Sequence, residues 1–271
     1  MVNFVVRKEE QMPEESARGR FVWYDLMTPD AEGAKPFYTA VMGWGIEVWD
    51  NPGMQYTMWK VGDRTIGGIM NMPAEAVAGG AKPHWLAYVI APEVDKTTAR
   101  AQELGAKIMV PPTSIPTVGR FAVIADPQGA LIAPYTPETI GPEPEGMPPV
   151  GEFSWHELAT TDPVAAFDFY HELFGWEKTS AMDMGEAGVY QMYGRHGAPL
   201  GGIYKPSVEN PHPPAWLHYG RVADVNAAIE TAREKGGQLL NGPMEVPGGD
   251  MIAMFLDAQG GPFAVHQVKS A

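Results

Sequence analysis

The sequence predicts an α+β protein built from four βαβββ modules, arranged as two tandem domains whose curved mixed sheets enclose cavities. Three observations predict it: the chain repeats itself, each half switches twice between strand and helix periodicity, and a Pro/Gly-rich stretch separates the halves. Laying "FVWYDLMTPDAEGAKPFYTAVMGW" (21–44) over "FSWHELATTDPVAAFDFYHELFGW" (153–176) gives ten identities in 24 positions. They include Trp23/Trp155, Asp30/Asp162, Phe37-Tyr38/Phe169-Tyr170 and Gly43-Trp44/Gly175-Trp176. The match continues as "IGGIM" (66–70) with "LGGIY" (200–204), "WLAYVIAPEV" (85–94) with "WLHYGRVADV" (216–225), and "ADPQGALIAPY" (125–135) with "LDAQGGPFAVH" (256–266). Self-similarity at a fixed offset marks a duplicated structural unit. The expected boundaries are an N-terminal extension (1–19), a first domain (20–136), a Pro/Gly-rich linker (137–151) and a second domain (152–268).

The second copy shows the elements in order. Residues 153–160 mix apolar and polar side chains as a strand does. Asp162 then sits at an N-cap with Pro163 at the first helical position, a combination that starts helices. Val164, Phe167, Tyr170, Leu173 and Phe174 recur at three- and four-residue steps, which is one helical face. Gly175 stops the helix. Strand-like runs follow near 177–183, 188–194 and 199–205. After Pro214 the pattern restarts with a strand (215–222), an N-cap at Asp224, a helix (225–235) stopped by Gly236-Gly237, and strands near 238–246, 251–257 and 262–267. In the first copy the last hairpin turns at Asp126-Pro127-Gln128-Gly129, whose order suits a type I turn.

Composition narrows the function. With 19 Lys plus Arg against 33 Asp plus Glu, the formal net charge is -14. That balance argues against nucleic acid, whose phosphates demand dense positive charge, and it attracts cationic ligands. There is no cysteine, so disulfides, thiol nucleophiles and thiolate metal sites are excluded together. The N-terminal residues carry no secretory pattern and no apolar run is long enough to span a bilayer. The expected location is the cytoplasm, with no membrane partner.

A strand ending in Asp, a helix carrying "FYxxxxGW" and a late Asp-Pro-x-Gly hairpin resemble the vicinal oxygen chelate superfamily of glyoxalase I, extradiol dioxygenases and bleomycin-resistance proteins. The resemblance covers residues 20–136 and 152–268. It is strongest with the tandem glyoxalase-like proteins of mycobacteria and streptomycetes, a subgroup that includes a culture-filtrate antigen. It implies paired βαβββ modules around a cavity, with one divalent metal held by His, Glu or Gln in the enzymes. At the positions the resemblance assigns to those ligands stand Trp23 and Trp155, Gly67-Gly68 and Gly201-Gly202, and Ala133 and Ala264. The remaining position is Ala87 in the first copy and His218 in the second. The expectation is therefore no metal and no other cofactor. The alternative is one divalent metal in the second domain, held by Glu157, His218 and His266, where both histidines otherwise read as hydrogen-bonded pocket lining.

Two His-Glu pairs, His156-Glu157 and His171-Glu172, do not complete a zinc-protease HExxH, because Thr160 and Gly175 stand four residues on. His156 lies opposite Trp155 and is expected to pack toward its helix. Glu157 and its counterpart Asp25 are expected to point inward beside Trp155 and Trp23. Burial there would raise a carboxyl pKa, which suits Glu157 as a general base or either acid as a ligand grip. A hydrogen-bonded acid tying strand to loop fits the same residues. The expected ligand wall comprises Trp23, Asp25, Trp85 and Tyr135 in one domain and Trp155, Glu157, Trp216, His218 and His266 in the other. Stacking and cation–π contact would favour an aromatic or cationic small molecule. The expected function is metal-free small-molecule binding, as in the drug-sequestering bleomycin-resistance branch. The alternative is a lyase, isomerase or hydroxylase using a divalent metal or Glu157 as base. A duplicated chain works as a monomeric pseudo-dimer or as a homodimer.

Overall fold

A computed structural model describes residues 14–51, 54–209 and 211–269. The first domain runs β1 (Phe21–Thr28), α1 (Ala31–Met42), β2 (Gly45–Asn51), β3 (Met54–Val61), β4 (Arg64–Asn71), a short α2 (Ala74–Ala78), β5 (His84–Ile90), α3 (Val94–Glu103), β6 (Lys107–Ile115), β7 (Gly119–Ala125) and β8 (Leu131–Pro137). The second runs β9 (Phe153–Ala159), α4 (Pro163–Phe174), β10 (Glu177–Asp183), β11 (Val189–Arg195), β12 (Ala198–Tyr204), β13 (Ala215–Arg221), α5 (Val225–Glu234), β14 (Gln238–Glu245), β15 (Met251–Leu256) and β16 (Pro262–Gln267).

The helix signals act locally as the sequence implies. Asp162 Oδ1 accepts from the Ala165 N–H at 3.1 Å, and Asp30 Oδ1 accepts from the Gly33 N–H at 2.9 Å. Gly175 and Gly43 end α4 and α1 in the left-handed region, at φ 69° and 70°, where side chains are disfavoured. At the β7–β8 turn, Asp126 Oδ1 accepts from the N–H groups of Gln128, Gly129 and Ala130.

Each domain holds one open, eight-stranded curved sheet, ordered β2-β3-β4-β1-β5-β8-β7-β6 and β10-β11-β12-β9-β13-β16-β15-β14. The two modules of a domain therefore join through antiparallel β1–β5 or β9–β13 pairs. Helices cover one face of each sheet, and those faces turn toward each other. α1 packs with α5, and α3 with α4. One apolar core joins Leu26, Phe37, Tyr38, Trp44 and Trp59 of the first domain to Ile229, Phe255, Phe263 and Val265 of the second. A second core joins Ile124 and Ile132 to Phe167, Tyr170, Leu173 and Trp176.

The repeated motifs lock this interface reciprocally. Tyr38 Oη donates to Asp257 Oδ2 at 2.8 Å, and Tyr170 Oη donates to Asp126 Oδ2 at 2.8 Å. Trp44 Nε1 donates across to the Gly151 carbonyl, and Trp176 Nε1 to the Gly19 carbonyl. Among the described residues, no helix is long and apolar enough to cross a membrane.

Candidate functional site

Residues paired across neighbouring strands share a face of the sheet. Tyr24 and Leu26 enter the helix-side core, so Trp23 and Asp25 point to the concave face. Their partners on β5 are Tyr88 and Leu86. In the second domain Trp155 and Glu157 pair with Tyr219 and Leu217 on β13. Each concave face thus carries an indole, a carboxylate and a tyrosine, and β3 or β11 adds a second tyrosine.

In the first domain Asp25 collects three donors. Tyr88 Oη donates to Oδ2 at 2.8 Å, Trp23 Nε1 donates to Oδ1 at 3.0 Å, and Tyr56 Oη also donates to Oδ1. In the second, Tyr190 Oη donates to Glu157 Oε2 at 2.9 Å and Tyr219 Oη to Oε1 at 3.2 Å. Trp155 Nε1 reaches the Tyr190 hydroxyl at 2.8 Å, as Trp23 Nε1 reaches the Tyr56 hydroxyl at 2.8 Å, but Trp155 makes no second bond to its acid. Tyr204 stacks on Tyr190 with ring centroids 5.9 Å apart; its counterpart in the first domain is Met70.

Both acids are buried. Desolvation raises the Asp25 carboxyl above its ordinary range, opposed by hydrogen bonds from Tyr56, Tyr88 and Trp23. The same desolvation lifts Glu157 to about 7, against hydrogen bonds from Tyr190 and Tyr219. Burial beside these carboxylates raises the Tyr56 and Tyr190 hydroxyls, which remain protonated donors.

The tyrosines also explain the paired glycines. A Cβ at Gly68 would lie 1.9 Å from Tyr56 Oη, and one at Gly202 would lie 2.0 Å from Tyr190 Cζ. The ring lies across the glycine in each copy and fills the space a longer side chain would need.

Of the residues expected on the concave faces, Trp23, Asp25, Trp155 and Glu157 lie there. Tyr135 sits edge-on to Tyr88 at 6.0 Å, and its hydroxyl donates to the Val118 carbonyl at 2.9 Å. His266 occupies the matching strand position, bonded to Ser154 and Asp250.

Trp85, Trp216 and His218 require correction, because all three point to the opposite, helix-side face. Trp85 pairs with Leu26, Trp216 with Leu158 and His218 with His156. Trp85 Nε1 donates to Tyr38 Oη at 3.1 Å, and Trp216 Nε1 to Tyr170 Oη at 3.2 Å. Alternation along an isolated strand leaves its phase open, and shifting the phase by one residue exchanges the faces. Leu86 and Tyr88 take the concave positions that Trp85 and Ala87 were expected to hold, as Leu217 and Tyr219 do for Trp216 and His218.

His156 does pack on the helix side, as expected. Its Nδ1 lies 3.1 Å from His218 Nδ1, its Nε2 lies 3.2 Å from Tyr24 Oη, and the Phe21 ring covers it at 3.8 Å. Desolvation takes His218 down to about 3; desolvation and then the neighbouring His218 hold His156 well below the ordinary value. Among the described residues, His218 Nε2 is buried with no partner.

The set Glu157, His218 and His266 is therefore not assembled. His218 lies across the sheet from Glu157, both Glu157 oxygens already accept hydrogen bonds from tyrosine hydroxyls, and His266 is engaged elsewhere. Among the described residues, no three His, Asp or Glu side chains converge as metal ligands. The donor set on the concave faces does not fit the divalent ion of the family's enzymes.

The tyrosines Tyr56, Tyr88, Tyr190 and Tyr219 were missed in reading the sequence. A signal was present: both copies keep tyrosine at these positions, measured back from Gly67 or Gly201 and forward from Trp85 or Trp216.

Comparison with known proteins agrees with this architecture. DnrV of Streptomyces peucetius, named an anthracycline biosynthesis protein, is 30% identical over 266 residues, 93% of this chain and 94% of DnrV. CFP32 of Mycobacterium tuberculosis, named a glyoxylase, is 36% identical over 122 residues, 44% of either chain. The 2,3-dioxygenase LapB of Pseudomonas sp. KL28 superposes with a TM-score of 0.64 over 94% of both chains at 14% identity, a likeness of fold. The profile of one family matches residues 20–133 and again 152–265. With two matched domains, paired βαβββ modules and the helix-to-hairpin motifs all in place, the chain belongs to the glyoxalase/bleomycin resistance protein/dioxygenase superfamily.

Proposed function

We propose that this protein binds a planar aromatic small molecule, cationic at neutral pH, on its concave faces and without a resident metal. One observation carries the reading: a buried carboxylate, held by tyrosine hydroxyls beside an indole, occurs on the same face of both sheets. Trp23, Tyr56, Tyr88 and Tyr135 are half-buried rather than sealed, as are Trp155 and Tyr204. Their rings offer stacking surfaces, and the carboxylate behind them favours a positive ligand. The net charge of -14 draws such a ligand in. DnrV, by its name, works in anthracycline biosynthesis, and anthracyclines are planar aromatics carrying an amino sugar.

The test is quenching of tryptophan fluorescence by an amino-sugar anthracycline. Saturable quenching is expected, with affinity rising as pH passes upward through about 7 and Glu157 ionises. Glu157→Gln should remove that pH dependence and weaken binding about tenfold at pH 8, or roughly 1.4 kcal/mol. No saturable quenching of the wild type, or quenching unchanged in both Glu157→Gln and Asp25→Asn, would overturn the proposal.

The pKa near 7 of Glu157 favours a second reading, in which Glu157 is a general base in a metal-free isomerase or lyase. On that reading the wild type exchanges an acidic C–H of the bound ligand for deuterium, and Glu157→Gln does not.

A further inference from the structure

We propose that Ser154 is an activated nucleophile toward carboxylic esters of aromatic alcohols, with His266 as its base and Asp250 orienting the imidazole. Ser154 Oγ lies 2.8 Å from His266 Nδ1, and His266 Nε2 lies 2.9 Å from Asp250 Oδ2. An ionised carboxylate only accepts hydrogen bonds, so Nε2 carries the proton and Nδ1 presents its lone pair to the serine hydroxyl. Asp250 is anchored in turn by the Lys269 N–H on Oδ1 at 2.8 Å. A nucleophile, a base and an acid that orients the base recur as this constellation on unrelated folds. Here the two imidazole nitrogens exchange places relative to the usual serine hydrolase, which leaves the relay intact.

The fold does not require this chain of bonds. In the first domain the positions of Ser154, Arg221, His266 and Asp250 are taken by Val22, Ile90, Tyr135 and Gly119. Val22 and Ile90 close that corner with Ala17 and Ile140 as a small apolar cluster. The second domain places Ser154 and Arg221 where its twin uses hydrocarbon, and His266 and Asp250 where its twin has Tyr135 and Gly119. The site is also reachable, since Ser154 and Asp250 are both half-buried. It adjoins the aromatic face described above: the β9–β13 register shifts at Ser154, between the Trp155–Tyr219 and Phe153–Gly220 pairs, and Ser154 Oγ lies 3.4 Å from the Tyr219 carbonyl oxygen. An aryl ester is the substrate class that this adjacency selects.

The step balances with water as co-reactant. Ser154 Oγ bonds to the ester carbonyl carbon as its proton passes to His266 Nδ1. The C–O bond to the aryloxide breaks, and the leaving oxygen takes that proton. Water, deprotonated by His266, then releases the carboxylic acid and restores Ser154. This inference stands apart from the binding proposal, because it needs no cationic ligand and neither Asp25 nor Glu157.

Labelling with a fluorophosphonate probe, followed by peptide mass mapping, tests it, with p-nitrophenyl acetate turnover in parallel. A covalent adduct on Ser154 is expected in the wild type and none in Ser154→Ala. His266→Gln should slow labelling about 100-fold, the usual worth of a general base, while circular dichroism stays unchanged. Asp250→Asn should slow it less. Absence of an adduct on wild-type Ser154, or an adduct that forms equally fast in His266→Gln, would overturn the proposal.

Discussion

At the scale of single residues, two acids in equivalent places reach different balances. Asp25 is short, sits close to its strand and takes donors from three side chains. Glu157 is one methylene longer and receives only two tyrosine hydroxyls. Burial raises both, and Glu157 reaches about 7. Because the folded-state pKa lies above the unfolded one, the folded state keeps its proton between about 4.5 and 7. Stability is therefore complete below the unfolded pKa and falls as pH rises through the folded one, by roughly 3 kcal/mol at full effect. Glu157→Gln has no proton to lose. Its stability relative to wild type, measured by urea unfolding, should improve by about that amount between pH 4.5 and 8. An unchanged difference would show that Glu157 titrates normally. His156 and His218 act in the opposite direction. Their folded pKa values are depressed, so their contribution is present above the ordinary histidine pKa and is lost as pH falls toward about 3.

At the scale of elements, the repeated Phe-Tyr pair and the late hairpin prove to be halves of one device. The helix tyrosine of each domain donates to the hairpin aspartate of the other. The same hydroxyl receives the indole N–H of Trp85 or Trp216. Tyr170→Phe removes the donor to Asp126 and leaves Trp216 Nε1 without an acceptor. A hydrogen bond to a charged group contributes about 1.5–3 kcal/mol, so this variant should lose roughly 2–3 kcal/mol in denaturant unfolding. Tyr38→Phe should match it through Asp257 and Trp85. A loss below about 0.5 kcal/mol would mean that water replaces the hydroxyl without penalty.

At the scale of the molecule, the two domains are not independent beads. Each large core draws residues from both repeats, so separating them would expose Phe37, Trp44, Phe169 and Phe174 together with the helix faces. A fragment of residues 20–136 is expected to lack a cooperative thermal transition or to self-associate through that face, read by calorimetry and light scattering. A monomeric fragment that melts cooperatively near the full-length temperature would refute this. The same arrangement turns the concave faces outward, one per domain, leaving both available to ligand while the helices are hidden.

Much of this was legible in the chain. Asp162 and Asp224 as N-caps, Gly175 as a stop and the Asp126 turn act over a few residues, so their geometry follows from local chemistry, and the helices and strands lie where those signals put them. The duplication was legible for the same reason, being written in order. Facing was legible only in part. Trp23, Asp25, Trp155 and Glu157 lie on the concave face, but Trp85, Trp216 and His218 do not, because a strand's phase is fixed by its partner and β5 and β13 are phased by β1 and β9. The tyrosine clamps on Asp25 and Glu157 join strands 31 to 63 residues apart. The Ser154–His266–Asp250 chain spans the whole second domain. Sequence determined the modules and their number, since those depend on contacts between near neighbours. Tertiary structure decided which side chains meet, since hydrogen bonds between distant strands exist only after register and sheet curvature bring them within 3 Å.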